Sequence, residues 1–269
     1  MNKKEEKDGA AAQYNHVSCT IAVMSGKGGV GKSLVTGILA VALAKSGYRT
    51  GVLDADITGP SIPKLFGVRG PLEAGPAGLR PLTSETGVKV MSINLMLDSE
   101  DTPVVWRGPL IGRAIQQLWG DVMWGTLDYL LVDLPPGTSD AALTTLQSLP
   151  VSGVIMVTTP QSLASLIVRK AVRMAQLVGV PIAGVVENMA YFKCPDTGKR
   201  HLIFGPSHTQ EVAEAARAPI MAQLPIDPLI AQLCDAGKIE SVTLDEMPTL
   251  LEAFLKTMPV KPSRGIAQR

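Results

Sequence analysis

Apolar segments and polar turns alternate along most of the chain in a strand–helix order. Short β-rich runs predict strands, and longer runs with apolar residues every three or four positions predict helices. Residues 108–123 show the helical pattern, with Leu110, Ile111, Ala114, Ile115, Leu118 and Trp119 on one stripe. The predicted strands are residues 19–25, 49–54, 88–95, 127–133, 153–158, 182–187 and 219–224. The predicted helices are residues 32–46, 61–66, 108–123, 139–148, 161–178, 209–217, 228–236 and 247–257.

This order of elements defines the expected fold class. Strands separated by helices imply right-handed βαβ crossovers. We therefore predict an α/β fold with a single doubly wound, mostly parallel sheet and helices on both faces. The chain shows no internal repeat and no long linker, so we predict one domain at residues 17–258. A disordered tail is expected at residues 1–16 and a flexible tail at residues 259–269.

Composition narrows the class of protein further. Apolar residues make up 46% of the chain and aromatic residues 4%, which favours an aliphatic core around a buried parallel sheet. A formal net charge of +1 gives no overall field for nucleic acid or an anionic membrane, so neither is expected as a partner. The polar N-terminus lacks a signal-peptide core, and three separated cysteines do not form a disulfide framework. We therefore expect a cytoplasmic protein.

Residues 26–33 read GKGGVGKS and match the phosphate-loop pattern Gly-x-x-x-x-Gly-Lys-Ser/Thr. The motif follows a predicted strand and opens a predicted helix, as this loop requires. Glycines let backbone N–H groups turn toward phosphates, and the helix N-terminus adds positive potential. Lys32 is expected to reach the β- and γ-phosphates, and the Ser33 hydroxyl to hold Mg²⁺. The predicted ATP ligands are Gly26, Lys27, Gly28, Gly29, Val30, Gly31, Lys32 and Ser33.

Carboxylates close two of the other predicted strands. Asp54 and Asp56 follow one strand, and Asp133 ends an apolar run in the Walker B arrangement, whose carboxylate holds Mg²⁺ directly or through water. Ligands of open α/β sheets lie at the carboxyl ends of strands, so these side chains are expected near the phosphates. Gly137, in the stiff turn after Asp133, is predicted to offer its N–H to the γ-phosphate and to sense its presence.

Lys27 is an addition to the generic phosphate loop. The form Gly-Lys-Gly-Gly-Val-Gly-Lys resembles the deviant phosphate loop of the ATPase class that includes MinD, ParA and the nitrogenase iron protein. In that class the early lysine reaches the nucleotide of a partner subunit. The resemblance thus implies a homodimer that closes over two ATP molecules; the alternative is a solvated lysine beside the site.

Further motifs narrow the resemblance from a class to a family. Over residues 17–258 the chain resembles the Mrp/ApbC/NBP family of iron–sulfur cluster carrier ATPases. GPSIP and DLPPGTSD separate this family from MinD and ParA most sharply. The segments that carry the resemblance are residues 51–67, 106–109, 127–140, 157–161, 187–189, 194–195 and 203–205.

The resemblance implies roles for three further residues. Asp56 is the candidate that orients or activates the attacking water, which would make Lys27, Lys32 and Asp56 the catalytic residues. Asp54 is expected nearer the metal shell, so that Ser33, Asp54 and Asp133 are the candidate Mg²⁺ ligands. Asn188 is expected to read the adenine edge. The alternatives are loop-capping aspartates and an asparagine that caps the turn after its strand.

Two departures from the family pattern bear on function. Leu34 stands where a hydroxyl residue is usual, which predicts weakened ATP binding. The family's carriers hold a cluster, expected here as 4Fe-4S, with a Cys-x-x-Cys pair from each subunit. This chain has Cys194 and then Thr197, so a symmetric dimer supplies two thiolates there. Asp196, His201, a small thiol or a client's cysteines are the remaining candidate ligands.

The leading hypothesis is an ATP-hydrolysing, homodimeric carrier that passes an iron–sulfur cluster to apoproteins. A nucleotide-gated scaffold without a cluster is the alternative, and Thr197 favours it. A membrane-positioning ATPase of the MinD kind ranks lower, because residues 259–269 carry no apolar stripe. DNA partitioning of the ParA kind ranks lower too, because the charge balance does not indicate a basic surface.

Overall fold

The computed structural model describes residues 11–56, 59, 61–96 and 108–261. Most of the predicted N-terminal tail (residues 1–10), most of the predicted C-terminal tail (residues 262–269) and two positions of a family motif (106 and 107) lie outside the described residues.

Strands and helices alternate through the described chain, as the apolar pattern predicted. The strands are β1 (His16–Ser25), β2 (Thr50–Asp54), β3 (Ala74–Gly75), β4 (Gly78–Leu79), β5 (Leu82–Thr83), β6 (Lys89–Ser92), β7 (Thr126–Asp133), β8 (Gly153–Thr158), β9 (Ile182–Lys193), β10 (Arg200–His201) and β11 (Ile220–Ile226). The helices are α1 (Lys32–Lys45), α2 (Ile62–Leu65), α3 (Gly108–Gly120), α4 (Asp140–Ser148), α5 (Ser162–Val178), α6 (Thr209–Ala216), α7 (Pro228–Asp235) and α8 (Met247–Thr257). Short 3-10 turns occur at Ala12–Tyr14, Ile93–Met96 and Ile239–Ser241.

A nine-stranded sheet organises the described part of the chain. Its order is β10-β9-β8-β1-β7-β2-β6-β5, and β11 also pairs with β9. The pairs that join β6, β2, β7, β1, β8, β9 and β11 are all parallel, whereas β5 and β10 pair antiparallel with their neighbours. The predicted fold class, a mostly parallel α/β sheet with helices on both faces, is confirmed.

Two apolar clusters cover the two faces of the sheet. Successive side chains of β1 point to opposite faces of the sheet and contribute to both clusters. Ala22 and Met24 belong to one cluster, and Ile21 and Val23 belong to the other. Buried residues of α3, α4, α5 and α6 complete the first cluster. Those of α1, α7 and α8 complete the second. The phosphate loop, which leads from the end of β1 into α1, is therefore held between a central strand and a buried helix.

Several element boundaries differ from the predictions. β9 continues to Lys193 rather than ending at residue 187, because buried Glu187 is hydrogen-bonded by Ser207 and Gln223 and so remains compatible with a sheet interior. β6 ends at Ser92 and α3 at Gly120, each three residues before its predicted end. The two-residue strands were not predicted, because such short pairings leave no period in the sequence.

The predicted N-terminal tail extends too far along the chain. Ala11 is buried and its N–H donates to the Gly120 carbonyl at 3.1 Å. The Asn15 side chain donates to the Val122 carbonyl and accepts from the Gly125 N–H. Residues 11–16 are therefore fixed to the turn before β7, and β1 begins at His16.

The pairing of β9 with β11 is irregular, and its larger shift lies after Glu187. Glu187 pairs with Gln223 of β11, and the next pair joins Tyr191 to Pro225, so β9 uses four positions where β11 uses two. Met189 lies within this bulge and has a φ of 58°, in the left-handed region that few side chains other than glycine adopt. The bulge lies between Asn188 and the residues that precede Cys194.

Candidate nucleotide site and cysteine hairpin

The phosphate loop has the strand–loop–helix context that the sequence predicted. β1 ends at Ser25 and α1 begins at Lys32. Gly29 and Gly31 have φ values of 76° and 77°, so the loop turns at two positions that favour glycine. The Ser25 hydroxyl donates to the Lys27 carbonyl at 2.9 Å, which fixes the start of the loop.

Asn188 contacts the back of this loop. Its side-chain amide donates to the Val30 carbonyl at 3.0 Å, and the residue is 2% exposed. A Cβ atom at Gly31 would lie 2.2 Å from Asn188 Nδ2, so this glycine is required for the close approach. Asn188 lies inside β9 rather than in a turn after it. Its predicted contact with adenine stays a prediction, and the structure adds a contact with the phosphate loop.

Asp133, at the end of β7, accepts hydrogen bonds from three side chains of α1. Lys32 Nζ lies 2.7 Å from Asp133 Oδ2, and Ser33 Oγ lies 2.5 Å from the same oxygen. Thr36 Oγ1 lies 2.7 Å from the other oxygen, Oδ1. The predicted phosphate lysine, hydroxyl and Walker B carboxylate thus converge on one buried point. Thr36 was missed in the sequence, because a threonine inside a buried helix carries no motif.

Asp54 lies beside Asp133 in the register of β2 and β7. Burial, and secondarily the charge of Asp133, raises the pKa of Asp54 to about 8. One of its oxygens accepts from the Asp56 N–H, and the other accepts from the N–H groups of Ser61 and Ile62. Asp54 therefore caps the turn that leads into α2, which was the alternative reading. Its place in the metal shell stays a prediction.

Asp56 faces the phosphate-loop cleft. Its carboxylate lies 3.9 Å from Lys32 Nζ, and the residue is 8% exposed. The cleft has a volume of about 320 Å³. The residues that line it are Ser25, Lys27, Gly28, Gly29, Val30, Gly31, Lys32, Ser33, Leu34, Asp56, Ser61, Leu65 and Pro136. The predicted catalytic and phosphate-binding side chains therefore share one open space.

Lys27 forms a contact that the sequence did not predict. Its ammonium group donates to the side-chain carbonyl of Gln161, the residue before α5. Gln161 is the last residue of the 157–161 segment, which carries part of the family resemblance. In a single chain, Lys27 thus has a neutral partner at the rim of the cleft.

Gly137 forms a contact that the sequence did not predict. Its N–H donates to the Ser25 carbonyl at 3.0 Å, and its predicted contact with the γ-phosphate stays a prediction. Its φ of 79° lets the chain turn sharply after Pro135 and Pro136. The turn after Asp133 is therefore tied to the end of β1 in this structure.

Cys194 lies in a turn between β9 and β10. Its N–H donates to the Lys199 carbonyl at 3.0 Å, and its carbonyl accepts from the Gly198 N–H at 2.8 Å. Hydrogen bonds to its sulfur, from the Thr197 side chain first and then from the N–H groups of Thr197 and Asp196, hold the thiol pKa below its ordinary value. Thr197, which stands where the family has its second cysteine, thus favours the thiolate form of Cys194.

The other two cysteines have a different environment. Cys19 and Cys234 are buried, and burial raises the pKa of both thiols. Within the described residues, no group of three or more His, Cys, Asp or Glu side chains is arranged to hold a metal ion.

A membrane-spanning helix is absent from the part of the chain that the structure describes, since none of its helices has both the length and the apolarity to cross a bilayer.

Sequence comparison places the chain among known relatives. Residues 16–258 match the ParA group described as NUBPL iron-transfer P-loop NTPases. The chain is 46% identical over 235 residues to an iron–sulfur cluster carrier protein of Clostridium perfringens, covering 84% of this chain and 82% of that protein. It is 45% identical over 242 residues to an iron–sulfur cluster carrier protein of Saccharolobus solfataricus, covering 89% of this chain and 82% of that protein.

Structure comparison agrees. A nucleotide-binding protein of Archaeoglobus fulgidus, solved in complex with ADP and with cobalt found, is 45% identical, with a TM-score of 0.77 and coverage of 86% of this chain and 90% of that one. The MinC:MinD complex of Aquifex aeolicus, at 17% identity, a TM-score of 0.65 and coverage of 90% and 96%, shows the shared fold. The predicted resemblance is confirmed: the chain belongs to the ParA-related family of iron-transfer P-loop NTPases.

Proposed function

We propose that this chain is an ATP-binding and ATP-hydrolysing iron–sulfur cluster carrier that acts as a homodimer and passes its cluster to apoproteins. One observation carries the proposal. β9 contains Asn188, which contacts the phosphate loop, and runs directly into the turn that holds the low-pKa thiol of Cys194. A nucleotide site and a candidate cluster ligand are thus joined by one strand. The relatives named as cluster carriers support the same function.

The oxygen groups at the base of the cleft fit Mg-ATP. Mg²⁺ prefers oxygen ligands, and these are the Ser33 hydroxyl in the cleft and the buried Asp133 carboxylate that it contacts, with Asp54 beside Asp133. Bound Mg²⁺ would neutralise phosphate charge during transfer. For ATP to bind, Lys32 must turn from Asp133 toward the β- and γ-phosphates. Asp56, which borders the same cleft, is then the group proposed to orient the attacking water.

Lys27 supports the homodimer. Its ammonium reaches Gln161 at the rim of the cleft rather than the carboxylates inside it. A neutral acceptor holds the ammonium without cancelling its charge, so the group remains available to a phosphate of a second subunit. We propose that ATP brings two subunits together and that Lys27 then contacts the partner's nucleotide.

The dimer also matters for the cluster. Two copies of Cys194 supply two thiolates, and a 4Fe-4S cluster takes four protein ligands when fully coordinated by the chain. The Thr197 hydroxyl lowers the pKa of the Cys194 thiol, so it favours the thiolate without supplying a second one. Asp196, His201, a small thiol or the cysteines of a client apoprotein are the candidates for the remaining positions.

Thr197 also favours a second function. A chain with one cysteine in this turn would serve as a nucleotide-gated scaffold, if the two thiolates of a dimer hold no stable cluster. The ATP site would then control only the recruitment of partner proteins.

Anaerobic reconstitution with iron and sulfide tests the choice between these functions. Iron content and the visible spectrum are measured for the wild type, Cys194→Ala and the control Cys234→Ala, whose cysteine is buried. The carrier function predicts about four irons per dimer. It also predicts their loss in Cys194→Ala, with ATP affinity unchanged, and their retention in Cys234→Ala. A wild type without a stable chromophore would favour the scaffold.

A further inference from the structure

Thr36 is a fully buried hydroxyl in the second turn of α1, among apolar neighbours. Its oxygen lies 2.7 Å from Asp133 Oδ1 and 3.0 Å from the Lys32 carbonyl. The hydroxyl has one proton for two acceptors. Because hydrogen bonds to a charged acceptor are shorter and stronger, the proton goes to the carboxylate. Thr36 is thus a donor to Asp133 rather than merely a helical threonine bonded to the preceding turn.

The two oxygens of Asp133 have partners of different kinds. Lys32 and Ser33 both contact Oδ2, and the proposed function assigns both of them to Mg-ATP. Thr36 contacts Oδ1, and it is not among the residues that line the cleft. When Lys32 and Ser33 turn to the ligand, the Thr36 contact stays.

We infer that Thr36 is a positioning residue for the metal site: its hydroxyl fixes Oδ1 of Asp133 and thereby keeps Oδ2 directed at Mg²⁺. The inference rests on the proposed Mg-ATP site and adds a residue to it. Without the hydroxyl, Oδ1 loses its donor, and the carboxylate is held against rotation about its last side-chain bond only through Oδ2. Removing a residue that hydrogen-bonds to a metal ligand commonly lowers metal affinity by about 10- to 100-fold.

Thr145 provides a matched control. It is fully buried in α4, and its hydroxyl donates to the Ala141 carbonyl one turn earlier at 2.8 Å. Thr36 lies in the same helical setting, with its oxygen 3.0 Å from the Lys32 carbonyl, but its proton is directed at Asp133. Replacing either threonine by valine removes a hydroxyl from the same helical setting, and only one of the two replacements removes a carboxylate partner.

The experiment measures binding of Mn²⁺, as a probe for Mg²⁺, to the full chain with ADP by electron paramagnetic resonance. We expect Thr36→Val to bind Mn²⁺ about 10- to 100-fold more weakly than the wild type, Thr36→Ser to recover most of the loss and Thr145→Val to match the wild type. ADP affinity in metal-free buffer should be unchanged in all four proteins. Thr36→Ala replaces Thr36→Val if the valine variant does not fold.

Other outcomes overturn the inference. Mn²⁺ affinity within about twofold of the wild type in Thr36→Val, or an equal loss in Thr145→Val, would reduce Thr36 to a packing residue. A wild type that binds ADP without Mn²⁺ would instead remove the proposed metal site itself. The two failures are therefore distinguishable.

Discussion

The nucleotide site and the Cys194 turn are held by different kinds of contact. Around Asp133, three side chains converge on one buried carboxylate, and Asn188 supports the loop from behind. The Cys194 turn is held mainly by backbone hydrogen bonds, and the neighbouring Leu202 and Ile203 are each 58% exposed. The first region is built to keep its geometry before a ligand arrives. The second is open to partners, as the proposed cluster transfer requires.

Lys32→Ala should have the largest effect on the nucleotide site. Loss of a preorganised charge at the phosphates is expected to lower the rate of ATP hydrolysis by about 10²- to 10³-fold or more. The variant also leaves Asp133 without its buried cation, so unfolding by urea is measured alongside hydrolysis. Lys45→Ala, at the exposed end of the same helix, is the control. Normal hydrolysis by Lys32→Ala would show that the assigned site is wrong.

Gly31→Ala tests how tightly the buried region is built. An alanine there must adopt a φ of 77° and would place its Cβ 2.2 Å from Asn188 Nδ2. We expect a loss of about 1–3 kcal/mol in unfolding free energy from the backbone alone, and weaker ATP binding in addition. Gly29→Ala is the control. Gly29 has nearly the same φ, 76°, but an added Cβ would have nothing within 4 Å. Equal ATP affinities in the two variants would mean that the Asn188 contact is unimportant.

Thr197→Cys tests the outward-facing region. The change gives each subunit the second thiol that the family pattern has, so the thiolates of a dimer rise from about two to four. We expect a more stable cluster, measured as slower loss of iron to a chelator, with ATP hydrolysis unchanged. Thr197→Ser keeps the hydroxyl and should behave as the wild type. If Thr197→Cys loses iron no more slowly, the second thiol does not limit cluster stability here.

The pH dependence of stability probes the buried carboxylates. The folded pKa of Asp54, about 8, lies above its ordinary value of 3.8, so the folded chain holds a proton that the unfolded chain has released between these pH values. Stability from this group is complete at low pH and declines as pH rises toward 8, by at most about 1.4 kcal/mol per pH unit. In Asp54→Asn, the free energy of unfolding, measured with urea from pH 5 to 8, should fall less steeply with pH than in the wild type. Parallel curves for the two proteins would contradict the assignment.

Sequence reasoning was strongest where chemistry imposes a local pattern. The phosphate loop and Asp133 were predicted because glycines, a lysine and an apolar run ending in Asp must stand in a fixed order along the chain. Thr36 and Gln161 were missed because their roles arise only when α1 meets β7 and when the loop meets α5. The hydrogen bond from the Gly137 N–H to the Ser25 carbonyl was missed for the same reason, because it joins the turn after β7 to the end of β1.

The same limit explains the errors at β9 and at the N-terminus. Glu187 and Asn188 look like the end of a strand, because polar residues rarely continue one. The buried Glu187 carboxylate accepts hydrogen bonds from Ser207 and Gln223, which come 20 and 36 positions later. Residues 11–16 look like an unstructured tail, since their anchors at Gly120 and Val122 are more than 100 positions away.

The bulge at Met189 gives β9 two independent registers. Because β9 uses four positions between Glu187 and Tyr191 where β11 uses two, the ladder before the bulge does not dictate the ladder after it. A residue gained or lost at this bulge would shift the pairing on one side of it without requiring the same shift on the other. Under the proposed function, the part of β9 beside the phosphate loop could then keep its register while the turn that contains Cys194 changes in length.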